Sequence, residues 1–226
     1  MIYSEKFQRN PITPKEQGRI RNARFAIVGL GGTGGFVLEN LLRMGAENFL
    51  LFENDRFELS NFNRQTLATD EFLDMPKVHA AVARAKTINK DINIATAGLF
   101  DEDSDLSGAS IAIDGTDNIK TKLAIAQAAR KKKIPYVFCS AQDSRGIVSV
   151  FIDYKFEKAF QLPKDKDSLD KYGTCASILC PAASLAGTLA ASQAVNFLLK
   201  KPYAKAPEAI FFDLFKKDVF WRSRLG

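Results

Sequence analysis

Three glycines, Gly29, Gly31 and Gly34, are spaced G-x-G-x-x-G directly after the apolar run Phe25-Ala26-Ile27-Val28 and directly before the amphipathic stretch Phe36-Val37-Leu38-Glu39-Asn40-Leu41-Leu42. At a strand-to-helix turn that spacing has a chemical use. Gly29 allows the tight turn, Gly31 removes the side chain where backbone must approach a phosphate, and Gly34 lets the helix pack closely on the strand. The free N–H groups at the helix start, with the positive end of its dipole, then face an anion. With Gly32 in the same loop, the stretch reads as a nucleotide or dinucleotide site.

Charged residues follow at positions that such a site needs. A second apolar run, Asn48-Phe49-Leu50-Leu51-Phe52, ends in Glu53. An acid at the tip of the second strand, about 20 residues past the glycines, is where a nucleotide-binding fold grips ribose hydroxyls. Glu53 is the candidate for that grip and Asp55 the reserve. Residues 55–65 then crowd polar and cationic groups into a short loop, and Met75-Pro76-Lys77 opens another helix. Arg64 and Lys77 place positive charge over a polyphosphate, which a triphosphate needs more than a dinucleotide does. An ordinary surface loop with a capped helix behind it accounts for the same segment. Asp114 ends the run Ser110-Ile111-Ala112-Ile113 at the rim shared with the glycine loop. One carboxylate there, with phosphate oxygens, suits a magnesium ion. Asp117 and Asn118 suit the N-cap of the next helix better than Asp114 does, and Asn118 is counted with the nucleotide-binding residues as well.

The elements that must position these groups alternate between apolar runs and helix patterns. At 226 residues and 46% hydrophobic, the chain can bury one sizeable core. Residues 1–23 read as an extended arm and a short polar helix, and residues 24–162 as the nucleotide-binding domain. Residues 163–175 form a polar, lysine-rich crossover loop expected to be mobile, and residues 176–226 add a helix and strands that complete the same domain. Five apolar runs, at 25–28, 48–53, 92–97, 110–113 and 134–139, make a parallel sheet. Residues 146–152, 209–214 and 218–222 add antiparallel strands. The fold class is therefore α/β: a Rossmann-like, doubly wound, mostly parallel sheet with antiparallel C-terminal strands and a mobile crossover loop.

Composition excludes several other classes. The net charge of +6 is spread, and its densest run, Arg130-Lys131-Lys132-Lys133, suits a solvated helix end, so nucleic acid has no track. Residues 178–199 carry no charge but are rich in alanine and hold Ser184, Thr188, Ser192, Gln193 and Asn196, too polar for a membrane span. The N-terminus lacks a signal pattern. The three cysteines, Cys139, Cys175 and Cys180, form no C-x-x-C pair, which points to reduced thiols in the cytoplasm and no zinc. His79, the only histidine, sits beside an apolar helix stripe and is assigned no chemistry.

Five ordered motifs together form a specific signal: G-L-G-G-T-G at Gly29 to Gly34, E-N-D-x-x-x-L-S-N-F-N-R-Q at Glu53 to Gln65, Pro76-Lys77, D-G-T-D-N at Asp114 to Asn118, and G-T-L-A-A-S-Q-A at Gly187 to Ala194. The chain resembles the ThiF/MoeB/HesA family, adenylate-forming activators of ubiquitin-like proteins and sulfur carriers, over essentially its whole length. The resemblance implies ATP and magnesium as cofactors and a small β-grasp partner ending in Gly-Gly. Glu53 then holds the ribose in place of the family's usual aspartate, Asn61, Arg64 and Gln65 line the polyphosphate, Lys77 binds phosphate and Asp114 positions magnesium. Arg9 matches the arginine supplied to the neighbouring subunit's ATP, implying a homodimer with composite sites. The implied reaction is attack by the carrier's C-terminal carboxylate on the α-phosphate. Cys175 resembles the thiol that some members use to take over the activated carrier, at a spacing to Pro181 about two residues shorter than the family pattern.

Within the same superfamily, the N-x-N-R-Q spelling at Asn61 to Gln65 would suit a tRNA-modifying dehydratase, while Gly173-Thr174-Cys175 and the closing strands fit the carrier activators better. A scaffold that only binds a ubiquitin-like protein has no use for Arg64, Lys77 and Asp114 together, and a dinucleotide oxidoreductase none for the cationic loop. The closing strands around Phe212 and Phe215, with residues 151–162, are the expected docking surface for the carrier.

Overall fold

The alternating pattern becomes, in a computed structural model describing residues 5–165, 167–173 and 177–226, a single mixed sheet wrapped by helices. The strands are β1 (Arg24–Val28), β2 (Asn48–Phe52), β3 (Asn93–Ala97), β4 (Ile111–Asp114), β5 (Tyr136–Gln142), β6 (Arg145–Phe151), β7 (Glu208–Asp213) and β8 (Phe220–Arg224). The helices are α1 (Pro14–Asn22), α2 (Gly32–Arg43), α3 (Lys77–Ile88), α4 (Ile119–Lys132), α5 (Phe156–Ala159) and α6 (Cys180–Leu198). The sheet order is β3-β2-β1-β4-β5-β6-β7-β8. The first five strands pair in parallel and the last three antiparallel.

Alternation along β1 explains the two layers. Phe25 and Ile27 face Val37, Leu38 and Leu41 of α2, while Ala26 and Val28 face Leu123, Ile125 and Ala126 of α4. Both faces are covered, so the strand has to be apolar at every position. Each of the buried leucines contributes about 1.5–3 kcal/mol. Helix α6 is alanine-rich because it lies against both α2 and the sheet: a Cβ on Gly187 would stand 2.8 Å from the Phe36 Cβ, and Ala182, Ala183, Ala186, Ala190 and Ala194 are fully buried. Among the described residues no helix is long and apolar enough to cross a membrane.

Local sequence accounts for the helix starts. Thr13 and Glu16 make a reciprocal capping box at α1, with bonds of 3.2 Å and 2.8 Å. The arm before it is not extended: Glu5–Phe7 is a 3-10 turn, and Phe7 is buried beside Gly45 at the far end of α2. The crossover stretch expected as a mobile loop is pinned at residues 167–172 by a 3-10 turn whose Leu169 is buried, and by a 2.7 Å ion pair between Lys120 and Asp170. The expected docking surface also needs correction. Phe151, Phe156 and Phe212 are core side chains, Phe212 lying over Gly146 on the neighbouring strand, while Phe215 is exposed. His79 is exposed.

A Cβ at Gly34 would overlap the Gly29 carbonyl oxygen, whereas one at Gly18, inside α1, meets nothing within 4 Å. Gly34→Ala is therefore expected to cost about 3 kcal/mol or more, and Gly18→Ala to add about 0.5–1 kcal/mol. Thermal unfolding of the two variants checks the contrast.

Candidate active site

The strand order reverses between β1 and β4, and a crevice opens outside the carboxyl ends of parallel strands at such a point. Three backbones meet there. Gly29 adopts φ +84°, its N–H bonds to the Phe52 carbonyl at 2.8 Å, and the Gly115 N–H bonds to the Val28 carbonyl at 2.7 Å. A Cβ on Gly115 would lie 2.7 Å from the Gly34 Cα, so only glycines allow this crossing. Above it lies an open cleft of about 670 Å³. Gly31 and Gly32 form its floor, where α2 begins with no side chain capping its N–H groups. Phe52, Leu99 and Phe100 make an apolar wall, and the cleft continues past Ser140, Gln142 and Ile147 towards the antiparallel half of the sheet.

Two cations enter from the 55–77 segment. Lys77, at the start of α3, is 6% exposed, donates to Asp55 Oδ2 at 3.0 Å, and gives its backbone N–H to the Asp55 carbonyl at 2.9 Å. Arg64 is steered by bonds of 2.7 Å to the Ser60 carbonyl and 2.9 Å to Asn63 Oδ1. Beside them Gln65 is buried and lines the cleft below Gly31; its Oε1, itself buried, has no hydrogen-bond partner among the described residues. Asn61 behaves differently from expectation: its Oδ1 accepts the Glu58 N–H at 3.2 Å, closing the 3-10 turn Leu59–Asn61, and it does not line the cleft.

The magnesium expectation for Asp114 fails on hydrogen bonding. Asp114 is fully buried; Oδ1 accepts from the Thr116 N–H and hydroxyl at 2.8 Å and 2.7 Å, and Oδ2 from Lys122 Nζ at 3.0 Å and the Tyr136 hydroxyl at 2.7 Å. Its acceptor sites are spent inside the protein. Asp117 instead is exposed and lines the cleft, with no hydrogen bond or ion pair among the described residues. Asn118 lines the cleft and also caps α4, accepting from the Lys120 and Thr121 N–H groups at 2.8 Å and 3.2 Å.

Lys122, which none of the motifs singles out, also lines the cleft and spends its remaining donors on the Thr116 and Cys139 carbonyls at 2.7 Å and 3.0 Å. Its signal was a lysine at an apolar-face position of α4, between Ile119 and Ile125. Burial, reinforced by the Asp114 charge, holds the Tyr136 hydroxyl well above its ordinary range. Burial likewise pushes the Cys139 thiol up to about 12, and that thiol donates to the Asp114 carbonyl at 2.8 Å.

Glu53 lines the cleft but turns onto the main chain: Oε2 accepts the Leu30 N–H, and Oε1 those of Asn54 and Asp55, all at 2.8 Å. Arg9 is exposed on the arm that packs at the C-terminal end of α2, a twelve-residue helix and so about 18 Å from its start. It does not line the cleft of its own chain. Cys175 lies outside the described residues, and Cys180 is exposed at the start of α6. Among the described residues no three His, Cys, Asp or Glu side chains converge as a metal cluster.

Residues 3–225 match the ThiF family model. The chain is 33% identical over 152 residues to the sulfur carrier protein ThiS adenylyltransferase of Bacillus subtilis, covering 64% of this chain and 45% of that protein. It is 30% identical over 192 residues to the molybdopterin-synthase adenylyltransferase of Haemophilus influenzae, covering 81% of this chain and 78% of that protein. The crystal structure of Escherichia coli MccB with ATP shares the fold, with a TM-score of 0.76 at 18% identity over 93% of this chain and 65% of that one.

Removing one member of a buried ion pair costs about 3–5 kcal/mol, because the other is left uncompensated. Lys122→Met is expected to destabilise by that amount and Asp114→Asn/Lys122→Met to recover part of it, read by denaturant unfolding. With Cys175→Ser as background, iodoacetamide at a pH of about 8 is expected to modify Cys180 and leave Cys139 untouched until unfolding, as followed by mass spectrometry.

Proposed function

The chain belongs to the ThiF family, and from that membership we propose that it uses ATP to adenylylate the C-terminal glycine carboxylate of a small ubiquitin-like or sulfur-carrier protein. One observation carries the reading: an uncapped helix N-terminus, Arg64, Lys77 and Gln65 converge in one cleft that runs on towards the antiparallel strands. A dinucleotide site needs neither that density of cations nor the open extension. The two bacterial relatives, a ThiS adenylyltransferase and a molybdopterin-synthase adenylyltransferase, have names of the same kind.

In this reaction a carboxylate oxygen attacks the α-phosphorus, the oxygen–phosphorus bond forms as the bond to the bridging oxygen breaks, and pyrophosphate leaves with the electron pair. No proton has to move, and no side chain acts as a nucleophile. The barrier lies in bringing two anions together, so positioning and fixed positive charge supply the catalysis. Gly31, Gly32 and the N–H groups of α2 would cradle phosphate, and Lys77, Arg64 and Gln65 would bind its flank. Phe52, Leu99 and Phe100 offer an apolar wall to the base.

Magnesium, when bound, neutralises phosphate charge, and it needs few protein ligands because it keeps water and phosphate oxygens. The open carboxylate of Asp117 fits that demand and the sealed one of Asp114 does not. Arg9, at the far end of α2 from its own cleft, would serve the cleft of a second copy in a homodimer. Cys175 would act only after adenylation, if the carrier is passed to a thiol. A carrier whose tail lies in the cleft would rest on Ile147, Phe211 and Trp221, which stand in register across β6, β7 and β8, with the last two rings stacked at 5.7 Å.

The test is pyrophosphate exchange into ATP across a panel of β-grasp carriers ending in Gly-Gly. Exchange is expected with one carrier, to be lost on chelation of magnesium, to fall about a hundredfold or more in Lys77→Ala and Asp117→Ala, and to persist in Cys175→Ala. Absence of exchange with every carrier overturns the proposal.

A further inference from the structure

Glu53 occupies the position where a ribose grip was expected, yet its carboxylate is committed elsewhere. A carboxylate offers about four acceptor sites, and three are taken by main-chain N–H groups. Oε2 takes Leu30 at 2.8 Å, and Oε1 takes Asn54 and Asp55, each at 2.8 Å. Leu30 stands between Gly29 and Gly31, and its side chain is fully buried, so this bond fixes the height of the phosphate loop above β2. The second oxygen fixes the turn after β2. That turn delivers Asp55, whose carboxylate and carbonyl hold Lys77 at 3.0 Å and 2.9 Å. One side chain thereby sets the loop N–H groups and the Lys77 ammonium relative to each other.

We infer that Glu53 is a positioning residue, a strut between the phosphate loop and the Asp55–Lys77 pair, and that it does not select the ribose. The inference rests on the ATP site proposed above. Length explains the residue type. An aspartate at 53 reaches the N–H groups just after it, as aspartates in turns do, but is one methylene too short to span to Leu30 as well. Glutamine keeps the length and loses an acceptor. A sugar hydroxyl meets a carboxylate with one acceptor site left, so nucleotides lacking a ribose hydroxyl bind nearly as well as ATP.

Two measurements test this. The first is amide hydrogen exchange on the nucleotide-free protein. In Glu53→Asp, exchange at Leu30 is expected to rise about ten- to hundredfold, the loss of a charge-assisted bond, while Asn54 and Asp55 keep their protection. In Glu53→Gln all three are expected to loosen. The second is calorimetric titration with ATP, 2′-deoxy-ATP and 3′-deoxy-ATP. Both variants are expected to weaken all three nucleotides by the same factor, with discrimination below about threefold throughout. Unchanged exchange at Leu30, or wild-type discrimination of tenfold or more that vanishes in the variants, overturns the inference. Failure of the wild type to bind any nucleotide overturns the ATP reading instead, while the exchange arm still decides the role of Glu53 in the loop.

Discussion

Three glycines without room for a methyl group between them hold this molecule together at its working point. Gly29, Gly34 and Gly115 bring the end of β1, the start of α2 and the end of β4 into backbone contact. Everything functional is placed from that crossing. The α2 N–H groups face the cleft because Gly34 lets the helix sit down on the turn, and the β4 turn flanks the same opening because Gly115 can approach it. Side chains added here would not merely crowd the site; they would separate the two halves of the sheet that define it.

Around that crossing, acidic side chains divide into those that hold the frame and those that face solvent. Asp114 is locked by Lys122, Tyr136 and Thr116, tying β4, β5 and α4 into one block. Glu53 is turned onto main-chain N–H groups, and Asp55 onto Lys77. Asp117 alone among these four carboxylates makes no hydrogen bond or ion pair among the described residues, and it stands on the cleft wall. An acid near a strand end is thus either spent inside the protein, on a lysine or on main-chain N–H groups, or left open to the cleft.

That division is why parts of the site escaped the sequence. The central strands β1, β2 and β4 were legible because their runs are apolar on both faces, and α6 because its charge-free length had to be buried. The glycine loop, Lys77 and Arg64 were legible as neighbours because local spacing alone puts them at one rim. Whether Asp114 or Asp117 faces the cleft depends on Tyr136, which is 22 residues beyond Asp114, and on a lysine that looks like any other helix lysine. Asn61 has the composition of a ligand and the geometry of a turn closure, a distinction made by the Glu58 N–H. The crossover stretch looked free because it is polar. One buried leucine and one ion pair were enough to order residues 167–172.

The placement of β1 between β2 and β4 also orders events during synthesis. Phe25 pairs with Phe49 on one side but waits for Ile111 on the other, so a nascent chain that has emerged only through β3 carries β1 as an open apolar edge. Such an edge invites pairing with other chains until it is covered. The glycine turn, lacking Gly115, cannot close in that interval. The protein therefore completes the floor of its cleft and covers that apolar edge in the same step, when β4 docks.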